Sequence, residues 1–419
     1  MYRKIFIVCI LLCTCIMSAF GQKSKYNIRL IINDIKEKNL YLKGYCGEDF
    51  FIADSAKVKN NSITFKTQLA PGYYDIVNQN GKVYWGIIAH DSKRFSITID
   101  SNYSNAVVSN STENEFFSNL LTLLSNENTE SQQLILHNYI TQLPTNVVLQ
   151  MMAYDYFAQN NRQPYTDRYF DSVPLCDPML HFPLTHAYIA QFFNENTTDK
   201  SAETQIKKID LFYRHCDVKS EIGQYYLKWL LKHYLTDFNP EWDVVFVYLY
   251  ENYFEPNGCC FITETNARIL QKNVVRKKRV LNGSIIPFLQ ITNKEGKTES
   301  TENMPHKYTL IWFWDPDCDD CLVETPALQS YYTENAEKYD FEVFAVALTE
   351  DVERWKNTVD EMQLTWINSC EGDGSTNYDF KDYFNILTTP ASFLIDQNHK
   401  IILQQITLEK LQNFFENHE

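Results

Sequence analysis

An α/β domain at the C-terminal end, preceded by an antiparallel β-sandwich domain and an all-α domain, is the fold class that this 419-residue sequence predicts. Three observations carry the prediction. Apolar and polar residues alternate in short runs from residue 26 to about residue 108. The apolar period lengthens to helical spacing from Glu113 to about Arg276. From about Val280, strand-like and helix-like runs then alternate around a Cys-x-x-Cys pair at Cys318 and Cys321. A hydrophobic share of 44% with 15% aromatics supplies packed cores for two or three such domains.

The chain opens with basic Met1-Tyr2-Arg3-Lys4, an apolar run from Ile5 to Met17, and small Ala19 and Gly21 before Gln22. This order predicts a secretory signal peptide over residues 1–21. The apolar run is shorter than the roughly 20 residues a bilayer span requires, so no stable membrane span is expected after cleavage. A lipid anchor is not predicted either, because Cys15 follows Thr14 rather than a small residue. The net charge is −15, and loss of Arg3 and Lys4 would make it more negative, which argues against nucleic acid as a partner.

Residues 22–110 are predicted to form the antiparallel β domain. Ile28-Leu30-Ile32, Ile63-Phe65, Tyr74-Ile76 and Phe95-Ile97-Ile99 each set apolar side chains two apart, and Asn80-Gly81 is a hairpin signal. His90 and Asp91 read as loop residues. Residues 111–276 are predicted to be helical, on Phe116-Phe117-Leu120-Leu121-Leu124 and Tyr225-Tyr226-Trp229-Leu230-His233-Tyr234, with Pro144, Pro164, Pro174, Pro178, Pro183 and Pro240 marking turns. The aromatic stripe is expected to be core rather than a ligand groove. His181, His186, His215 and His233 lack ligand spacing, so no metal site is expected. Five basic residues between Lys272 and Arg279 predict a solvated linker into the last domain, residues 277–419. That domain is predicted as a strand over Lys307–Trp314, a helix over Cys318–Tyr339 kinked at Pro326, a strand over Phe341–Leu348 and a helix over Asp351–Met362. Strands over Ser392–Asp396 and Lys400–Ile406 and a closing helix over Leu408–His418 complete it.

Chemistry concentrates at Cys318 and Cys321. The apolar run ending at Trp314 and the helical pattern after Cys321 put Cys318 at a strand-to-helix turn, where unpaired N–H groups and the helix dipole favour a thiolate. Two thiols at this spacing close into a small disulfide ring and reopen by exchange, the chemistry of a redox carrier. A static disulfide and half of a zinc site are the alternatives; zinc requires about two further ligands, and the chain holds no second C-x-x-C, only adjacent Cys259 and Cys260. Cys46, Cys176, Cys216, Cys259, Cys260 and Cys370 lie far apart, mostly in apolar surroundings, and read as buried small hydrophobes rather than a disulfide framework.

The Trp314-x-x-x-Cys318-x-x-Cys321 strand-turn-helix, Glu324 three residues later, and Thr389-Pro390 before an apolar strand together resemble the thioredoxin superfamily, specifically the membrane-anchored or secreted reductases of bacterial envelopes. The resemblance covers roughly residues 280 to 419. Asp317 stands where thioredoxins proper carry Trp, a departure that envelope relatives share. The first domain resembles the small β-sandwich of uncharacterised function that precedes such domains in secreted bacterial proteins. What the resemblance implies is a periplasmic or envelope thiol-disulfide oxidoreductase without a cofactor. Cys318 would attack a client disulfide, Cys321 would resolve the intermediate and Glu324 would relay a proton. Trp314, Thr389 and Pro390 would bind the substrate, with a cis bond before Pro390. Its partners would be a disulfide-bearing client protein and an upstream membrane electron donor. A rival expectation makes the first two domains an envelope-binding module and the last one a scaffold. A thiol peroxidase shares the fold, but its single cysteine in a Pro- and Thr-rich turn is not the pattern here. Five acids and no base occur between Asp315 and Glu324, which opposes a thiolate and predicts a reductant rather than a strong oxidant.

Overall fold

A computed structural model describes residues 23–418 apart from 34, 101–104, 144, 161–166, 195–199, 237–239 and 374–378. The expected signal peptide, Pro144 and Pro164 lie outside the described residues. The described residues fall into two compact units, one within Met1–Thr236 and Tyr248–Thr263, the other within Asp237–Val247 and Glu264–Glu419.

The first unit begins with eight strands, β1 (Ser24–Ile32), β2 (Asn39–Cys46), β3 (Asp49–Lys57), β4 (Ser62–Leu69), β5 (Gly72–Val77), β6 (Val83–Ala89), β7 (Arg94–Ile99) and β8 (Ala106–Ser109). They form two four-stranded sheets, ordered β4-β1-β7-β8 and β3-β2-β5-β6. Ile28, Leu30, Phe65 and Ile97 from one sheet share a core with Leu40, Leu42, Ile76 and Ile87 from the other, so the alternation seen in the sequence is that of a sandwich. Gly81, with φ of +82°, closes the β5–β6 turn. One pairing departs from the all-antiparallel expectation: β1 and β7 run parallel. Between them the chain leaves for the second sheet and returns twice, first at β4 and then at β7, and alternation along a strand says nothing of the direction of its neighbour.

Helices from Thr112–Ser125 to Glu264–Arg279 follow. The aromatic stripe is core, with Tyr226, Leu230 and Tyr234 wholly buried. The expected solvated linker is instead the end of the helix Glu264–Arg279. Its Lys277 is buried and ion-paired with Asp243, and its Arg276 pairs with Asp382, both within the second unit. A run of bases in sequence does not reveal the acids that fold against it.

The second unit holds a hairpin of β9 (Gln290–Thr292) and β10 (Thr298–Ser300), and a five-stranded sheet of β11 (Tyr308–Trp314), β12 (Phe341–Ala347), β13 (Ile367–Cys370), β14 (Ala391–Asp396) and β15 (Ile401–Gln404). Its order is β13-β12-β11-β14-β15, with β12 and β13 parallel and β14 and β15 antiparallel to their inner neighbours. All of β11 is buried. Leu310, Trp312 and Trp314 face one core, and Ile311 and Phe313 the other, so the strand is covered on both sides. Each of these side chains contributes about 1.5–3 kcal/mol by leaving water. The helix Asp319–Tyr339 continues through Pro326. β13 escaped the sequence pattern because two of its three buried residues are polar: Ser369 donates to the Ala345 carbonyl and Asn368 to those of Leu364 and Trp366. No helix among the described residues is long and apolar enough to cross a membrane.

Candidate active site

The buried strand β11 fixes the end of the apolar run, and the chain must turn at once to start a helix. Asp315 builds that turn: its side chain accepts from the Asp317 N–H at 2.9 Å, and its carbonyl accepts from the Cys318 N–H at 3.1 Å. Cys318 is the N-cap of the helix Asp319–Tyr339, and its Sγ accepts from the Cys321 N–H at 3.4 Å. The helical turn then carries Cys321 inward, where it is wholly buried beside Trp314 and Leu328, while Cys318 stays partly exposed. Burial pushes the Cys321 thiol up to about 12, with Cys318 adding to the effect. The pair therefore consists of one accessible sulfur at a helix N-terminus and one shielded sulfur behind it.

From the other side comes the loop before β14. The Thr389–Pro390 bond is cis. Pairing of Phe313 with Ala391 sets Pro390 beside the end of β11, and the Cys318 Sγ lies 3.1 Å from the Thr389 carbonyl oxygen. Residues 71 apart in sequence thus meet at the thiol.

Glu324 is exposed on the same helix, three residues beyond Cys321. It borders a pocket of about 270 Å³ with Leu310, Trp312, Ala327 and Leu328. Partial burial, and then the Asp320 charge, raise its carboxyl above the usual range. Trp314 is not where a substrate-binding side chain would be. As the last residue of a strand covered on both faces it is 0% exposed, and it packs beneath the site.

Arg354 was not foreseen. It lies on the helix Val352–Glu361, and its guanidinium stands 2.6 Å from the Asp317 carboxylate and 3.4 Å from the Pro316 carbonyl oxygen. The acid cluster before and around Cys318 is therefore partly compensated, by a base whose sequence position gives no hint of it. Apolar Leu322, Val323 and Leu387 are exposed on the segments that carry the cysteines and Thr389. No group of three or more His, Cys, Asp or Glu side chains among the described residues is arranged to hold a metal. The other described cysteines are unbonded: Cys46, Cys216 and Cys370 buried, Cys176 and Cys259 half-buried, Cys260 exposed.

Residues 306–401 match the family model described as thioredoxin-like. The thiol-disulfide oxidoreductase ResA of Oceanobacillus iheyensis is 28% identical over 120 residues, which make up 28% of this chain and 60% of that protein. This chain thus spans less than two thirds of that relative. Among solved structures, a domain of a possible thiol-disulfide isomerase from Cytophaga hutchinsonii is 29% identical (TM-score 0.31), the match covering 33% of this chain and 92% of that one. The thioredoxin domain of a thiol-disulfide oxidoreductase from Bacteroides vulgatus is 25% identical (TM-score 0.30), covering 33% and 96%. The C-terminal domain of this chain, which holds Cys318 and Cys321, is thioredoxin-like.

Proposed function

We propose that the chain is a secreted thiol-disulfide oxidoreductase that reduces protein disulfides with the Cys318/Cys321 dithiol. The observation that carries this reading is the asymmetry of the pair, an accessible Cys318 capping a helix and a buried Cys321 behind it. The Cys318 thiolate attacks one sulfur of a client disulfide, forming a mixed disulfide and releasing the other client sulfur, which takes up a proton. Cys321 then loses its proton and attacks Cys318 Sγ. The second client sulfur leaves, the Cys318–Cys321 disulfide remains, and two electrons have passed to the client. Glu324 accepts the Cys321 proton, directly or through water, in the second step. Thr389 and Pro390 align an extended client segment beside Cys318. An upstream dithiol donor at the membrane returns the two electrons, and the reaction takes place in the periplasm or cell envelope.

Insulin reduction with dithiothreitol as donor tests the reading. The chain is expected to accelerate precipitation of the insulin B chain, and Cys318→Ser to abolish the acceleration. Equal rates for the two proteins would end it.

A further inference from the structure

Sequence places Arg29, Lys57, Lys59, Lys66 and Arg94 across 66 positions of an acidic chain; the fold gathers them on the first unit. In β1, β4 and β7, inward residues are buried, and the alternate positions Asn27, Arg29, Thr64, Lys66 and Arg94 are exposed. Register puts Asn27 between Lys66 and Arg94, and Arg29 between Thr64 and Ser96. Neighbouring strands are about 4.8 Å apart, so three cations stand within one or two strand spacings of each other. With Lys57 and Lys59 they line a groove of about 900 Å³ to which no carboxylate contributes. Among the described residues none of the five has an ion-pair partner. Like charges this close on one face repel, so the arrangement costs stability unless an anion lies between them.

We infer that this groove docks an acidic polysaccharide, a linear chain whose carboxylates meet the cations and whose hydroxyls meet the amides and hydroxyls set between them. Asn27, Ser62, Thr64 and Ser96 supply those polar groups. Single-stranded nucleic acid would call for exposed aromatic faces on which bases stack, and the lining Phe95 is buried; the net charge of −15 opposes nucleic acid in general. β1 and β7 are paired on both sides, but β4, whose Ser62, Thr64 and Lys66 line the groove, is an edge strand, so an acidic peptide added to that edge is the rival occupant that the poly-glutamate arm of the test separates.

Calorimetric titration of the purified chain with polygalacturonate at 0.15 M salt tests the inference. Binding is expected, weakening as salt rises. The triple variant Arg29→Gln, Lys66→Gln, Arg94→Gln should bind at least tenfold more weakly. A control with Lys207→Gln, Lys297→Gln and Lys410→Gln, equal in net charge, should bind as the parent does. If the first triple variant misfolds by circular dichroism, Lys57→Gln with Lys59→Gln at the groove's end serves instead and should lose severalfold. Absence of polygalacturonate binding, or equal loss in the groove and control variants, would overturn the proposal. So would binding of poly-glutamate, dextran or phosphatidylglycerol vesicles as tight as that of polygalacturonate.

Discussion

At the residue scale, the difference between Cys318 and Cys321 is one of access before it is one of acidity. Iodoacetamide at neutral pH should alkylate Cys318 of the reduced chain and leave Cys321 untouched, as peptide mass spectrometry would show. Mixed disulfides with clients should accumulate on Cys321→Ser and not on Cys318→Ser; adducts held through Cys321 would reverse the assignment. With the Cys321 thiol pushed up to about 12 by burial, its deprotonation is the difficult part of the second step. Glu324 is suited to help only as a carboxylate, and because burial and Asp320 raise its carboxyl, that help fades as pH falls through a value above the ordinary one for Glu. Glu324→Gln should therefore slow resolution severalfold near neutral pH, and the loss should shrink in alkali, where hydroxide replaces the relay. Stopped-flow rates across pH decide it, since a loss independent of pH would leave Glu324 only a place at the helix N-terminus. Arg354 acts at one remove, holding Asp317 and the Pro316 carbonyl of the turn that presents Cys318. Its removal frees a negative charge next to the thiolate, so Arg354→Gln should slow alkylation of Cys318 at fixed pH, with Arg354→Lys recovering part of the rate. Both groups are about half exposed, which limits the effect to a few-fold.

At the scale of elements, what could be foreseen followed the side chains and what could not followed the partners. The strand β11 and the helix after it announce themselves because seven apolar residues and a helical period are local properties of the chain. The thiol pair at their junction was legible for the same reason, and the cis Thr389–Pro390 bond through the resemblance its neighbours support. The parallel pairing of β1 with β7, the polar strand β13 and the hold of Arg354 on Asp317 depend on distant segments and leave no local signal. The clearest such case is the basic run 272–279, whose Lys277 packs inside the second unit against Asp243 on the helix Pro240–Leu249. Lys277→Met leaves a buried carboxylate unpaired and should cost about 3–5 kcal/mol in urea unfolding, whereas Lys277→Met with Asp243→Leu should restore most of the loss. Burial already holds the Asp243 carboxyl above its usual range with Lys277 against it. The folded single variant therefore binds a proton more readily than the unfolded chain does. Its deficit should be largest near neutral pH and diminish as pH falls through the raised folded value. An undiminished deficit at low pH would point to lost packing rather than lost charge.

At the scale of the whole molecule, charge is unevenly spread. The net charge is −15, the five-cation groove belongs to the first unit, and five acids lie between Asp315 and Glu324 around the thiol pair. A strong oxidant owes its power to a stabilised thiolate in the reduced form, and here carboxylates oppose that form while the helix N-terminus supports it. One unpaired carboxylate about 7 Å away costs on the order of 1 kcal/mol at an effective dielectric of about 40, equal to roughly 20 mV in a two-electron couple before salt screening. Arg354 cancels part of the Asp317 contribution, leaving Asp319 and Asp320, exposed in the first turn, as the principal opposing charges. The reduction potential should accordingly fall nearer to thioredoxin's roughly −270 mV than to the roughly −120 mV of a strong oxidant. Because these charges are exposed, raising salt from about 0.05 M to 1 M, where the Debye length contracts to about 3 Å, should move the potential upward. Asp319→Asn with Asp320→Asn should move it the same way at low salt and remove most of the salt dependence. Titration against glutathione buffers measures all three quantities. A potential near −120 mV, or one indifferent to both salt and the double substitution, would show that the turn geometry and not the acidic field sets the poise of the pair.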